Sequence, residues 1–193
     1  SCEYPDNGEF ALSFDGVDDW VNLGNNEELN PSIFTISAKI IPGDGLSNGL
    51  NGGPILSRAE TTGQYAYVLD IIYGESNSIE FTMSDNAGNT FQINGGPGII
   101  EVNQLHHVVI TFDGSSIKLF IDGEEHTTTM NFDSWDNYSG EVFQIDSDTQ
   151  IGSLRADGIS PYFYLHAGGF IIITSNFPAI FFISFYGISI RSV

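Results

Sequence analysis

The sequence is poor in cysteine and in basic residues, and both shortages exclude classes of protein. Its 193 residues contain a single cysteine, Cys2, so no internal disulfide can form and a disulfide scaffold is excluded. Lys and Arg total 5 against 25 Asp and Glu, which gives a formal net charge of -20. Such a negative field repels nucleic acid and anionic membrane surfaces. The chain is therefore predicted to bind no nucleic acid.

The sequence also lacks any stretch of a dozen residues that combines helical periodicity with good helix formers. Short segments that alternate apolar and polar residues instead predict strands, separated by clusters rich in Gly, Asn and Pro. The predicted strands cover residues 10–15, 20–24, 34–42, 54–58, 65–72, 79–84, 90–93 and 141–145. With 41% hydrophobic residues, the chain suits one all-β domain around one core.

The clearest pattern is a hairpin over residues 105–123. Val109 and Thr111 on one side, and Ile117, Leu119 and Ile121 on the other, alternate with their neighbours around the turn at 113–116. A tight turn that contains Gly between two alternating segments predicts an antiparallel pair of strands.

Five segments, in order along the chain, resemble motifs of laminin G-like domains of the concanavalin A-like lectin/glucanase superfamily. They are SFDGVDDWVNLG at 13–24, the strand at 34–42, PILSR at 54–58, the hairpin with His106-His107 and Ile121-Asp122-Gly123, and Ile151-Gly152-Ser153. Lys39 and Leu105 stand where such domains usually have Trp. The resemblance implies a concanavalin A-like jelly-roll β-sandwich of two antiparallel sheets. It predicts one laminin G-like domain over 1–193, with 1–9 as an N-terminal extension and 159–193 as atypical apolar closing strands.

The last 35 residues differ from the rest. Residues 170–190 are 21 uncharged residues, long enough to cross a membrane as a helix. Asn176, Pro178 and the many β-branched residues oppose a helix. We therefore expect strands at 170–174 and 180–190 around a turn at 176–178, rather than a membrane span. Ile172 stands where the family usually has an acidic residue, and an arm for self-assembly is the alternative interpretation of this segment.

Residues for catalysis are not found in the expected pattern. The Glu-x-Asp-x-x-Glu strand of glycoside hydrolases in this superfamily is absent from the sequence. Asp122, Glu124 and Glu125 fall at a turn and are predicted to be solvated. His106 and His107 are neighbours on a strand, so they point to opposite faces; one is expected to pack inward with hydrogen bonds and the other to meet solvent. The chain is predicted not to be an enzyme.

Calcium is the cofactor that the sequence predicts. Asp15, Asp18 and Asp19 surround a Gly-containing turn, and clustered carboxylate oxygens are the ligands that Ca²⁺ prefers. Structural calcium is common among laminin G-like relatives. Solvated surface carboxylates are the alternative interpretation of these residues.

Sugar binding is predicted at a polar loop that contains a tryptophan. Aromatic faces stack on pyranose rings, while nearby carboxylates and amides bind the hydroxyl groups. Trp135 lies in such a loop, so we expect Trp135, Asp133, Asp136 and Tyr138 to bind ligand. The alternative is that Trp135 folds back onto the edge of the sandwich.

The function predicted from these observations is a non-catalytic binding or adhesion module, extracellular or at the cell surface, with a glycan or matrix component as partner. Two alternatives stay open at this point. One is a structural subunit of a filament or surface layer, assembled through the apolar C-terminal segment. The other is a glycoside hydrolase or lyase of the same fold.

Overall fold

The computed structural model describes residues 2–3, 11–14, 19–26, 29–43, 52–61, 64–72, 77–129, 133–156, 160–164 and 169–172. Within these ranges almost all regular structure is β-strand; 3₁₀ structure is found at Trp135–Asn137 and at Leu29. The strands are β1 Cys2–Glu3, β2 Ala11–Phe14, β3 Val21–Gly24, β4 Phe34–Ile41, β5 Gly52–Thr61, β6 Gln64–Ile72, β7 Ser78–Ser84, β8 Thr90–Asn94, β9 His106–Phe112, β10 Ile117–Ile121, β11 Glu124–Glu125, β12 Thr128–Thr129, β13 Thr149–Ile151, β14 Ser153–Ala156, β15 Ser160–Tyr164 and β16 Gly169–Ile172.

The described strands form two seven-stranded antiparallel sheets and a short β14-β15 hairpin. The first sheet has the order β1-β2-β16-β4-β9-β10-β11, and the second has the order β12-β8-β7-β6-β5-β13-β3. Nine of the sixteen described strands pair with at least one strand that is not their neighbour in sequence, so long-range contacts hold both large sheets together. The predicted all-β sandwich is confirmed.

The core lies between the two sheets and follows from the alternation in the sequence. Along β4 every second residue is buried, from Phe34 through Ile40, and the same holds for β9 from His106 through Phe112. Phe34 of the first sheet contacts Phe81 of the second, with ring centroids 5.9 Å apart. Each large apolar side chain buried in this way contributes roughly 1.5–3 kcal/mol.

Gly152 joins β13 to β14 with a positive φ of 79°. A Cβ at this position would lie 2.5 Å from Cε1 of the buried Phe14, so the close approach of backbone to ring requires glycine. The Ile-Gly-Ser motif noted in the sequence is thus explained by packing against the first sheet.

The segment 141–145, predicted as a strand, is not one. Val142 makes one isolated bridge to Asp85, and the neighbouring backbone groups bond to the end of β7 and the turn after it. Asn86 N–H donates to Glu141 O at 3.3 Å, and Phe143 N–H donates to Ser84 O at 2.8 Å. After β7 the backbone turns at Asn86, so the pairing cannot continue as a regular ladder. Burial of Val142 accounts for the apolar pattern that suggested a strand.

Two parts of the closing segment, 159–193, are described. Ser160–Tyr164 forms β15 and pairs with β14. Gly169–Ile172 lies between β2 and β4 in the first sheet, with Phe170 opposite both Ser13 and Ile41. The predicted turn at 176–178 and strand at 180–190 lie outside the described residues. Among the residues that are described, no helix has the length and apolar character that a membrane crossing requires.

Candidate functional site

The loop of residues 133–141, called the Trp135 loop below, begins on the edge of the second sheet. Asp133 N–H donates to Thr90 O at 3.1 Å, and Thr90 N–H donates to Asp133 Oδ2 at 2.8 Å. The chain then forms the single 3₁₀ turn Trp135–Asn137, closed by Asn137 N–H to Ser134 O at 2.8 Å. The loop therefore starts from a fixed point on β8.

The far end of the Trp135 loop is held by one buried carboxylate. Asp85 has no exposed surface, and its Oδ1 accepts N–H groups of Ala87 at 2.9 Å and Asn89 at 2.8 Å. Its Oδ2 accepts the Asn89 side-chain amide and the Ser139 N–H, both at 2.9 Å. Burial would raise the pKa of Asp85, but these hydrogen bonds together outweigh burial and the pKa is lowered.

Tyr138 lies between these anchored residues and packs inward. Its ring meets Phe91 and Phe112 edge to face, with centroids 5.6 and 5.5 Å away. Burial raises the pKa of Tyr138, and the carboxylates of Asp85 and Glu141 add to the effect. The structure thus places the ring of Tyr138 against the core, where it anchors the loop and offers little surface to a ligand.

The other predicted ligand-binding residues lie on the outer part of the loop. Asp133 and Asp136 are exposed, and Asp136 N–H donates to Ser134 Oγ at 3.3 Å. The backbone of Trp135 lies in the 3₁₀ turn between them, while its side chain is outside what the structure describes. Asp133 thus lies two residues before the 3₁₀ turn that contains Trp135 and Asp136, and ligand binding by these residues stays a prediction.

The structure describes only one of the three predicted calcium ligands. Asp15 and Asp18 lie outside the described residues, and Asp19 is partly buried beside β3. In the portion of the chain that is described, no group of three or more His, Cys, Asp or Glu side chains is arranged to hold a metal ion. The calcium site stays a prediction.

Two carboxyl groups that sequence analysis did not single out face each other on the second sheet. Asp70 of β6 is directly opposite Glu80 of β7, and Gln92 Nε2 donates to Glu80 Oε1 at 2.6 Å. Burial and the neighbouring Glu80 raise the pKa of Asp70 to about 7. Burial also raises the pKa of Glu80. A single acid inside each of two apolar strands was the available signal, but only the register shows that the two acids face each other.

The two histidines follow the prediction for neighbours on a strand. His106 is buried; its Nδ1–H donates to Asp122 Oδ2 at 2.8 Å, and Glu101 N–H donates to its Nε2 at 3.0 Å. His107 is partly exposed on the other face and lies 2.9 Å from Ser37 Oγ. Because the two rings point to opposite faces, they cannot bind one ion together.

Arg58 is a buried cation that sequence analysis did not single out as functional. Its side chain is 2% exposed and donates to Ile145 O at 3.1 Å, to Thr149 Oγ1 at 3.2 Å and to Asn25 Oδ1. These bonds join the segments that flank β3 and β13. The guanidinium is therefore engaged in fixing this end of the sandwich.

A family model places the chain among known proteins. The model, described as the concanavalin A-like lectin/glucanases superfamily and of the laminin G type, matches residues 15–160. The chain belongs to this family, as its motifs predicted. A search of curated proteins found no match.

Two solved structures with TM-scores above 0.5 have the same fold as this chain. Domains LG4-5 of the mouse laminin α1 chain match with a TM-score of 0.52 and 12% identity, over 82% of this chain and 40% of that one. The CBM40 of the Ruminococcus gnavus IT-sialidase, bound to α2,3-sialyllactose, matches with a TM-score of 0.51 and 15% identity, over 83% of this chain and 88% of that one. A heptameric SAP-like pentraxin from Limulus polyphemus has a TM-score of 0.48 and 18% identity, over 90% and 72%.

Proposed function

We propose that this protein is a non-catalytic glycan-binding module whose site is the Trp135 loop. The observation that carries the proposal is the position of the Trp135 backbone, in a 3₁₀ turn with exposed Asp136 and two residues after exposed Asp133. An aromatic ring flanked by carboxylates can stack on a pyranose and accept its hydroxyl groups. The similarity in fold to a module solved with sialyllactose supports a sugar ligand.

The charge of the chain selects among glycans. Asp133, Asp136 and Glu141 are all exposed on the loop, and the formal net charge is -20. Like charges in this arrangement repel sialic acids, uronic acids and sulfated sugars, and the repulsion is strongest at low salt. We therefore propose a neutral oligosaccharide as the ligand. As the resemblance to laminin G-like domains implies, we place the module outside the cell or at its surface.

The experiment is a screen of neutral and sialylated oligosaccharides, followed by calorimetric titration of the best ligand. Trp135→Ala is expected to weaken binding at least tenfold, or about 1.4 kcal/mol. Leu105→Ala is the matched control, because Leu105 is a large apolar residue, 54% exposed, at the start of β9. Binding of sialylated sugars in preference to neutral ones, or equal affinity of the Trp135→Ala protein, contradicts the proposal.

Glycoside hydrolysis is a second candidate, favoured by the facing pair Asp70 and Glu80. Retaining glycosidases use two carboxyl groups about 5–5.5 Å apart, one protonated and one ionised. Opposed residues in an antiparallel pair have Cβ atoms at a comparable spacing of about 4.5–5.5 Å. The raised pKa of Asp70 suits the acid of such a pair. This candidate would be supported if the parent protein released reducing ends from a glycan and both Asp70→Asn and Glu80→Gln abolished the release. We expect the parent protein to release no more than a blank without protein.

A further inference from the structure

We propose that the carboxylate of Asp85 is the positioning group of the glycan site, fixing where the Trp135 loop presents its aromatic turn. This inference rests on the proposed function. Asp85 itself is fully buried and does not reach the surface that a ligand would contact. Its role is therefore to act through the loop backbone.

The carboxylate joins two segments that are far apart in sequence. One oxygen, Oδ1, closes the turn after β7 by accepting the N–H groups of Ala87 and Asn89. The other, Oδ2, accepts the N–H of Ser139, 54 residues away. Because one rigid, planar group serves both segments, the position of Ser139 is set by the position of β7.

A second link runs through the side-chain amide of Asn89. Its Nδ2 donates to Asp85 Oδ2 and also to Asn137 O, each at 2.9 Å. Asn137 is the last residue of the 3₁₀ turn that begins at Trp135. The carboxylate thus orients the amide, and the amide holds the end of the turn.

The residue between these two attachments is Tyr138, whose ring is packed against Phe91 and Phe112. Three successive residues, 137 to 139, are consequently fixed by an amide, a core ring and a carboxylate. A site whose backbone is already in place loses less conformational entropy on binding, so its affinity for a given contact surface is higher. Removing the carboxylate should lower affinity although no ligand contact is removed.

The decisive variant is Asp85→Asn, which keeps the shape of the side chain. Its remaining oxygen can still accept from Ala87 and Asn89 N–H, but an NH₂ group then faces the N–H of Ser139 and the amide of Asn89. Donor against donor cannot bond, so the loop is released while the turn is kept. Asp113→Asn is the matched control: Asp113 also closes a turn with four hydrogen bonds, but all come from Ser115 and Ser116.

The test has two readouts in a Trp20→Phe background, where Trp135 is the only tryptophan. One is the dissociation constant for the best neutral oligosaccharide, measured well below the melting temperature. The other is quenching of Trp135 fluorescence by acrylamide together with its anisotropy decay, which requires no ligand. For Asp85→Asn we expect at least tenfold weaker binding and a faster local decay of Trp135; for Asp113→Asn we expect neither.

A lower melting temperature with unchanged affinity and unchanged Trp135 dynamics would overturn the proposal, because it would show that Asp85 only stabilises the fold. If no glycan binds even the parent protein, the proposed function fails, while the fluorescence decay still decides whether Asp85 positions Trp135. Should Asp85→Asn not fold, Asn89→Ala breaks the link to Asn137 and leaves the carboxylate in place. It is expected to give the same two changes, and their absence would equally overturn the inference.

Discussion

Two turns of this protein are built on an aspartate that accepts four hydrogen bonds, yet they differ in what they hold together. Asp113 is exposed, and its donors are the backbone and hydroxyl groups of Ser115 and Ser116. Asp85 is fully buried, and one of its donors is Ser139. Equal numbers of hydrogen bonds therefore do not imply equal importance. Burial and the separation of the partners in sequence decide how much of the structure depends on the carboxylate.

The largest expected effect is that of Asp85→Ala. Removal of the carboxylate takes the acceptor from the backbone N–H groups of Ala87, Asn89 and Ser139, and a hydrogen bond to a charged group contributes roughly 1.5–3 kcal/mol. We expect a loss of about 3 kcal/mol, which for a domain of this size lowers the melting temperature by about 6–12 °C. Calorimetry or circular dichroism measures the change. Asp113→Ala should lower the melting temperature by less than half as much, and equal losses would contradict the comparison.

Asp70 is a third carboxyl group and extends the comparison to a partly buried acid whose pKa is raised by burial first and by the neighbouring Glu80 second. Its folded-state pKa of about 7 lies above the unfolded value near 3.9, so the folded protein keeps a proton that the unfolded chain releases between these pH values. Stability from this group therefore falls as the pH rises through that window. Allowing for the exposed part of the side chain, the cost above pH 7 is on the order of 1–3 kcal/mol.

Asp70→Asn removes this cost, so we expect it to stabilise the protein more at pH 8 than at pH 4, as measured by urea unfolding. The exposed Asp136→Asn serves as the control and should change stability little at either pH. A gain that is the same at both pH values would show that ionisation of Asp70 is not its source.

The loss of stability at low pH provides a further comparison of Asp85 with Asp113. Hydrogen bonds from Ser115 and Ser116 lower the pKa of Asp113 to about 2, and the pKa of Asp85 is also lowered. A depressed pKa gives stability that is present above the unfolded value near 3.9 and is lost as the pH falls through the folded value. Asp85→Asn should therefore show a shallower loss of stability below pH 4 than the parent protein, measured by thermal melts in steps of pH. If Asp85→Asn loses stability below pH 4 as steeply as the parent protein, groups other than Asp85 cause the loss.

The smallest expected effect concerns calcium at Asp15, Asp18 and Asp19, of which Asp15 and Asp18 lie outside the described residues. An ion that binds the native state alone raises the melting temperature by mass action. We expect millimolar Ca²⁺ to raise it by a few degrees relative to EDTA, and Asp18→Asn to reduce the gain. Identical melts with Ca²⁺ and with EDTA would remove the calcium site from the prediction.

Much of the fold was readable in the sequence because alternation reports burial directly. The strands β4, β9 and β10 were predicted almost to the residue, since one face of each is apolar apart from His106 at the start of β9. The turn at 113–116 was equally clear, because all its hydrogen bonds are local. What the sequence could not show was pairing between distant segments, which depends on register and three-dimensional position.

The candidate site could likewise be predicted from the sequence only in part. Its aromatic turn could be proposed from Trp135 and two aspartates in a polar loop, since that composition is local. The role of Asp85 could not, because Asp-Asn-Ala-Gly-Asn at 85–89 predicts a turn but not the bond to Ser139. Segment 141–145 was assigned to a strand for the related reason that Val142 and Ile145 are buried although Val142 makes only an isolated bridge, to Asp85.

The position of β16 also constrains the order in which the molecule can be made. Among the described strands, Gly169–Ile172 is the strand that lies between β2 and β4 and pairs with both. The position between β2 and β4 therefore stays empty until the chain has been synthesised as far as β16, more than 150 residues after β2. Closing so long a loop is entropically costly and is associated with slow folding. During translation, the first sheet therefore exposes a bare edge at β4, and the late arrival of β16 sets the interval in which a nascent chain is open to aggregation or to a chaperone.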